Sequence, residues 1–156
     1  MTTKEQFFAV LLAAILSMPT MPLAQQTPLS GKWEKRFTTV IYDFRAKAYA
    51  PLEQPTELSC LTAESFKQMP DLSPTASKAR NAELGMTCGV SEVKVQRDSL
   101  SWRMQCEPGY DSHVSVVTTQ TEVRLSITSK DNSNGHHLGP DGTKSELLLR
   151  RIGDCD

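Results

Sequence analysis

Apolar residues follow two rhythms along this chain. From Phe7 to Leu16 they run without interruption (FFAVLLAAIL), and from Trp33 onward they alternate with polar residues over short stretches. Alternation with a period of two marks strands that bury one face. Trp33 to Phe44 (WEKRFTTVIYDF) predicts a long strand, rich in β-branched and aromatic residues and free of Gly and Pro. Trp33, Phe37, Thr39 and Ile41 share one of its faces, and Val40, Tyr42 and Phe44 the other. Residues 45–57, with Pro51 and Pro55, read as a loop with an edge position. Thr56 to Leu61 forms a short strand. Thr62 then caps a helical turn that Pro70 ends at Met69. A second helix has Ser73 as N-cap, Pro74 at its first position and Gly85 for the left-handed C-terminal position; its interior is polar enough to lie on the outside.

Beyond Cys88 the chain is all strand and turn. Gly89 to Val95 and Leu100 to Cys106 form a hairpin about Arg97-Asp98, in a register that opposes Val95 to Leu100 and Val93 to Trp102. His113 to Thr118, Glu122 to Thr128 and Ser145 to Ile152 follow, with a polar, Gly-rich loop from Lys130 to Thr143 before the last. The expected fold is mainly β: an antiparallel sheet of six to seven strands, curled or partly closed, with one or two short helices inserted between the second and third strands. One domain accounts for residues 25–156, and there is no internal repeat.

The continuous apolar run changes the picture of where the protein works. It follows Lys4, is broken by Ser17-Met-Pro19, and leads to Ala24 before Gln25. A charged start, a short apolar middle and a small-residue end define a signal peptide over residues 1–24. The run is too short for a hydrocarbon core that takes about 20 apolar residues to cross. No Cys lies near the cleavage point, which excludes a lipoprotein, and no second apolar run follows, so stable membrane insertion after cleavage is not expected. The periplasm is the expected location.

Export gives the four cysteines their meaning. Cys60, Cys88, Cys106 and Cys155 contain no Cys-x-x-Cys pair, which argues for two disulfides over zinc. Of three possible pairings, the hairpin favours Cys88–Cys106 with Cys60–Cys155. The register sets Gly89 opposite Cys106, and a bulge at Gly89 closes that gap. The rival is Cys60–Cys88 with Cys106–Cys155. With 17 basic and 18 acidic residues the net charge is −1, which argues against a nucleic-acid partner and against strong attraction to anionic lipid.

An ordered set of motifs resembles a known family: Gly31-Lys-Trp33-Glu34, then Cys60-Leu-Thr62 entering a helix, Cys88 opening a strand, Ser101-Trp-x-Met-x-Cys106, and a final Arg151-Ile-Gly-Asp-Cys155. The chain looks like the bacterial exported domain-of-unknown-function family 3617, over nearly all of its length past the leader. Arg45 to Pro55 lacks the Met residues usual in that family, and Ala63 stands where a Pro is usual. The resemblance implies a periplasmic protein with four structural cysteines, and no activity.

Chemistry-bearing residues are few. Asp111-Ser112-His113 holds the residue types of a nucleophilic triad, but in a strand Ser112 points away from the other two. His136-His137 with Asp131 and Asp141 share a polar loop, and its spacing fails the calcium-hand pattern. Cys60 precedes a helix, where a free thiolate would meet the dipole, yet it has no neighbouring partner for redox work. No catalytic, cofactor-binding or metal motif is present, and no cofactor is implied. An apolar cup formed by Trp33, Trp102, Met104, Leu147 and Leu149 is the candidate binding site, set against an ordinary filled core. The expectation is a non-enzymatic binding module for a small apolar ligand or an envelope protein partner. The alternative is a periplasmic enzyme, hydrolase-like or redox, with its site spread over strands. Nothing in the sequence bears on oligomeric state.

Overall fold

A computed structural model describes residues 26–132 and 138–155. The signal peptide read over residues 1–24 lies outside the described residues, as does His136-His137. The strands are β1 (Gly31–Asp43), β2 (Ala48–Glu53), β3 (Glu57–Leu61), β4 (Thr87–Val95), β5 (Ser99–Glu107), β6 (Tyr110–Thr118), β7 (Glu122–Asp131) and β8 (Thr143–Gly153). Helices α1 (Ala63–Lys67) and α2 (Pro74–Glu83), with a 3-10 turn at Pro70–Leu72 between them, connect β3 to β4.

All eight strands form one antiparallel sheet in the order β2-β1-β8-β7-β6-β5-β4, with β3 also paired to β1. This corrects the expected fold in three respects. The described residues form eight strands, not six to seven. The sheet is open: β4 forms one edge and β2 with β3 the other, so no closure pairs them. The helices follow the third strand, not the second.

The extra strand is β2, and its origin is physical. The thirteen-residue β1 needs a partner along its whole length. Its start pairs with β3, from Gly31 opposite Leu61 to Lys35 opposite Glu57. Its end pairs with β2, from Thr38 opposite Glu53 to Asp43 opposite Ala48. Pro55 falls in the break between the two partners, where Gln54 N–H still donates to Phe37 O at 3.0 Å. Pro51 is tolerated within β2 because an edge strand has a side on which no ladder bond is required.

One face of the sheet carries the core. In β5, Leu100, Trp102, Met104 and Cys106 are buried while the residues between them are not. Val114 and Val116 of β6, Val123 and Leu125 of β7 and Leu149 of β8 continue that face. The chain leaves β3 at one edge and re-enters at β4 on the other, which carries the helices across this inner face. Helix α1 has Thr62 and Ser65 in a capping box, as expected of Thr62. Its Phe66 packs edge-on against Trp33 with ring centroids 4.9 Å apart. Helix α2 is capped by Ser73, whose hydroxyl accepts from Ala76 N–H at 3.2 Å, and Gly85 beyond it takes φ +82°. Ser77 is the only residue of α2 that is fully buried, so the helix is lightly held.

Disulfides join Cys60 to Cys155 and Cys88 to Cys106. The hairpin register differs from expectation. Val95 opposes Leu100, but a bulge between Ser91 and Lys94 brings Cys88 directly opposite Cys106. The bulge thus lies at Glu92, not Gly89. Glu92 takes φ +53°, and Val93, expected opposite Trp102, is half exposed.

The two ends of the matched motifs meet in one corner. Gly31 has φ +152°, and a Cβ there would lie 2.4 Å from Gly153 O. Arg151 Nε donates to Ser30 O at 3.0 Å and its guanidinium pairs with Asp154. The Arg-Ile-Gly-Asp-Cys segment therefore presses on the Gly31 turn and delivers Cys155 to Cys60. Gly31→Ala is expected to cost more than about 1 kcal/mol, because both the backbone angle and the close approach oppose a Cβ. The urea midpoint measures this; an unchanged midpoint would mean that the corner is slack.

Candidate functional site: an apolar cleft beneath the helical layer

The helices cover the inner face incompletely. Toward β1 and β8 the face is left as a cleft of about 460 Å³, walled by Leu61 of β3 and by Met69 and Leu72 at the 3-10 turn, and floored by Phe37, Leu125, Ile127 and Leu147. Alternation along the strands puts these floor residues on one face. Phe37 is opposite Leu147, and Leu147 is opposite Leu125. Two ion pairs stand at the rim: Lys35 with Glu57 at 3.0 Å, and Arg80 with Asp71. The cleft combines a continuous apolar floor with a few charged groups at its margin, the usual make-up of a small-molecule site.

The structure divides the expected cup. Trp33 and Trp102 are fully buried, and Met104 and Leu149 nearly so. Leu147 and Leu149 line the cleft. Met104 lines a neighbouring recess under α2. Neither tryptophan reaches open space: Trp33 on β1 and Trp102 on β5, each one strand in from an edge of the sheet, are fully covered by surrounding side chains. The expected cup left out Phe37, Leu125 and Ile127, though alternation put each on one face of its strand, and it left out the wall of Leu61, Met69 and Leu72. That wall was not legible, because nothing in the sequence says where the 3-10 turn lands.

The outer face holds a wider depression of about 760 Å³, with Arg103, Asp111, His113, Lys130 and Tyr49 around it. Its charges neutralise one another. Arg103 Nε donates to Asp111 Oδ1 at 2.9 Å, a second guanidinium nitrogen bonds Asp111 Oδ2, and Nη1 reaches Glu92 at 3.2 Å. The hydrogen bonds from Arg103 hold the Asp111 carboxyl below its ordinary 3.8, against a smaller opposing effect of burial. Ser112 faces the other way, its hydroxyl 2.8 Å from that of Ser129. The Asp-Ser-His run is therefore not assembled: Asp111 serves an ion pair and Ser112 a cross-strand hydroxyl contact. Around this depression the Arg103, Asp111 and Glu92 charges are engaged with one another.

The lowered pKa has a testable sign. A carboxyl depressed in the folded state contributes stability above its unfolded pKa and loses it as pH falls through the folded value. Asp111→Asn is expected to lower the urea midpoint at neutral pH and to narrow its gap to the parent below pH 3.8. An equal gap at both pH values would show that the Arg103 pair contributes nothing through charge.

Among the described residues, no group of three or more His, Cys, Asp or Glu gathers as a metal site. No described helix is long and apolar enough to cross a membrane. All four cysteines are in disulfides, so Cys60 presents no thiolate.

These features define a class: an open antiparallel sheet, stapled by two disulfides, with a thin helical layer over an apolar inner cleft. The chain belongs to the family described as protein of unknown function (DUF3617), which it matches over residues 26–155. No curated protein and no solved structure matches it.

Proposed function

We propose that this protein is an exported, non-enzymatic binding module of the periplasm that takes a small apolar ligand into the cleft between the β1–β8 side of the sheet and the 3-10 turn at Pro70–Leu72. The observation that carries the reading is the cleft itself. It leaves Phe37, Ile127 and Leu147 only partly covered, while Leu125, Leu149, Val123 and Val116 of the same face are buried. Leaving apolar area uncovered forgoes about 25 cal/mol per Å², a cost that a bound apolar molecule would offset. Two disulfides support the extracytoplasmic placement, since such bonds persist in oxidising compartments.

Titration with N-phenyl-1-naphthylamine, an apolar dye that brightens when sheltered from water, tests this. Saturable brightening is expected with the parent and with Val117→Trp, which adds a ring on the outer face. It is expected to be lost with Leu147→Trp, which fills the cleft. No saturation with the parent, or equal binding by Leu147→Trp, would overturn the proposal.

A further inference from the structure

We infer that the ligand of the cleft is a single-chain anionic amphiphile whose carboxylate is received by Arg80 while its hydrocarbon chain lies on the inner face of the sheet. This rests on the reading of the cleft as a ligand site and adds the class of molecule. The first observation is that the cleft does not end at α2. A second recess of about 450 Å³ lies on the β5–β6 side, and Arg80, Asp71 and Ile127 line both. The two recesses adjoin at Ile127 and at the Arg80–Asp71 pair, and we read them as limbs of one trough. From that junction the floor of the larger limb runs from Ile127 to Leu147 and Phe37, the stretch on which the chain of a molecule held at Arg80 would lie.

The second observation is the state of Arg80. It makes one hydrogen bond, from Nη1 to Asp71 Oδ2, and its side chain is half exposed. A guanidinium has five N–H donors in a planar fork that matches a carboxylate through two parallel bonds. The fork is therefore under-used where it stands, at the junction of two apolar limbs. Asp71 is its counter-ion, so a ligand carboxylate adds to or replaces one existing contact and needs no buried charge to be created. The Lys35–Glu57 pair lies at the far rim of the larger limb, leaving the apolar stretch between the two pairs for the chain.

Calorimetric titration of the intact protein with dodecanoate, dodecyltrimethylammonium and neutral N-phenyl-1-naphthylamine tests the assignment. Arg80→Gln is expected to weaken dodecanoate by roughly tenfold or more, the worth of a charge-assisted hydrogen bond, and to leave the neutral dye unchanged. Arg80→Lys is expected to retain part of the affinity, and Asp71→Asn to strengthen it by freeing the fork. Dodecanoate binding that is indifferent to Arg80→Gln, or dodecyltrimethylammonium bound as tightly as dodecanoate, would overturn the anionic assignment and leave the apolar cleft standing. Failure of the neutral dye to bind the parent would overturn the cleft itself.

Discussion

Replacing Cys60 and Cys155 together with Ala is expected to lower the unfolding free energy by about 4.7 kcal/mol, the loop-closure entropy of a cross-link spanning 95 residues. Removing Cys88 and Cys106, 18 residues apart, is expected to cost about 3.2 kcal/mol on the same basis. The difference follows from what each bond constrains. Cys88–Cys106 ties the open end of a hairpin that β-ladder bonds already hold. Cys60–Cys155 ties the end of β3 to the chain just beyond β8, so that the two strands flanking the start of β1 cannot separate. Urea unfolding of both double variants, without reductant, measures the order. A larger loss from the hairpin bond would mean that packing around buried Cys88 and Cys106 outweighs chain entropy.

Trp33→Ala is expected to cost about 3–5 kcal/mol, the range for a buried aromatic cut to a methyl. Trp33 is fully buried, meets Phe66 edge-on, and donates from its indole to Leu29 O at 3.1 Å. It thus holds both α1 and the entering segment, whose Leu29 N–H bonds Gln120 O at 3.0 Å. Trp102 is equally buried, but its indole N–H has no acceptor among the described residues. An unmet buried donor costs about 1–3 kcal/mol, so Trp102→Phe removes a penalty along with the lost volume. Trp33→Phe removes a hydrogen bond instead and is expected to be the more damaging of the two, as read from urea midpoints. Equal losses would show that ring volume alone decides.

Legibility in the sequence tracked how local each determinant is. Period-two alternation located β1, β5 and the inner-face residues of β6 to β8, because side-chain direction in a strand depends only on position parity. The caps at Thr62 and Ser73 were legible for the same reason: each acts within three residues. The β2 strand was not, because Pro51 and Pro55 read as breakers, and only the length of β1 explains why an edge strand forms across Pro51. The bulge was misplaced because Gly89 is the residue suited to a positive φ, whereas the chain puts that angle on Glu92, whose carboxylate then meets Arg103. The strand ends at Tyr110, Asp131 and Thr143 carry polar residues and read as loop, yet the ladder holds them: Tyr110 opposes Asp131 and Ser129 opposes Thr143. Of the cleft, alternation supplied the floor on β1 and β8. The wall of Met69 and Leu72 depends on where the β3-to-β4 crossover settles, a non-local outcome that no short pattern encodes.

The central claim is that the inner cleft holds a small apolar molecule. Native mass spectrometry of the protein purified without reduction from the periplasm, repeated after denaturation, tests it most directly. The account predicts an added mass in the native spectrum that leaves on unfolding and is absent from Leu147→Trp, on a polypeptide four hydrogens lighter than its reduced form. A native mass equal to that oxidised polypeptide alone, even after N-phenyl-1-naphthylamine is supplied, would contradict it.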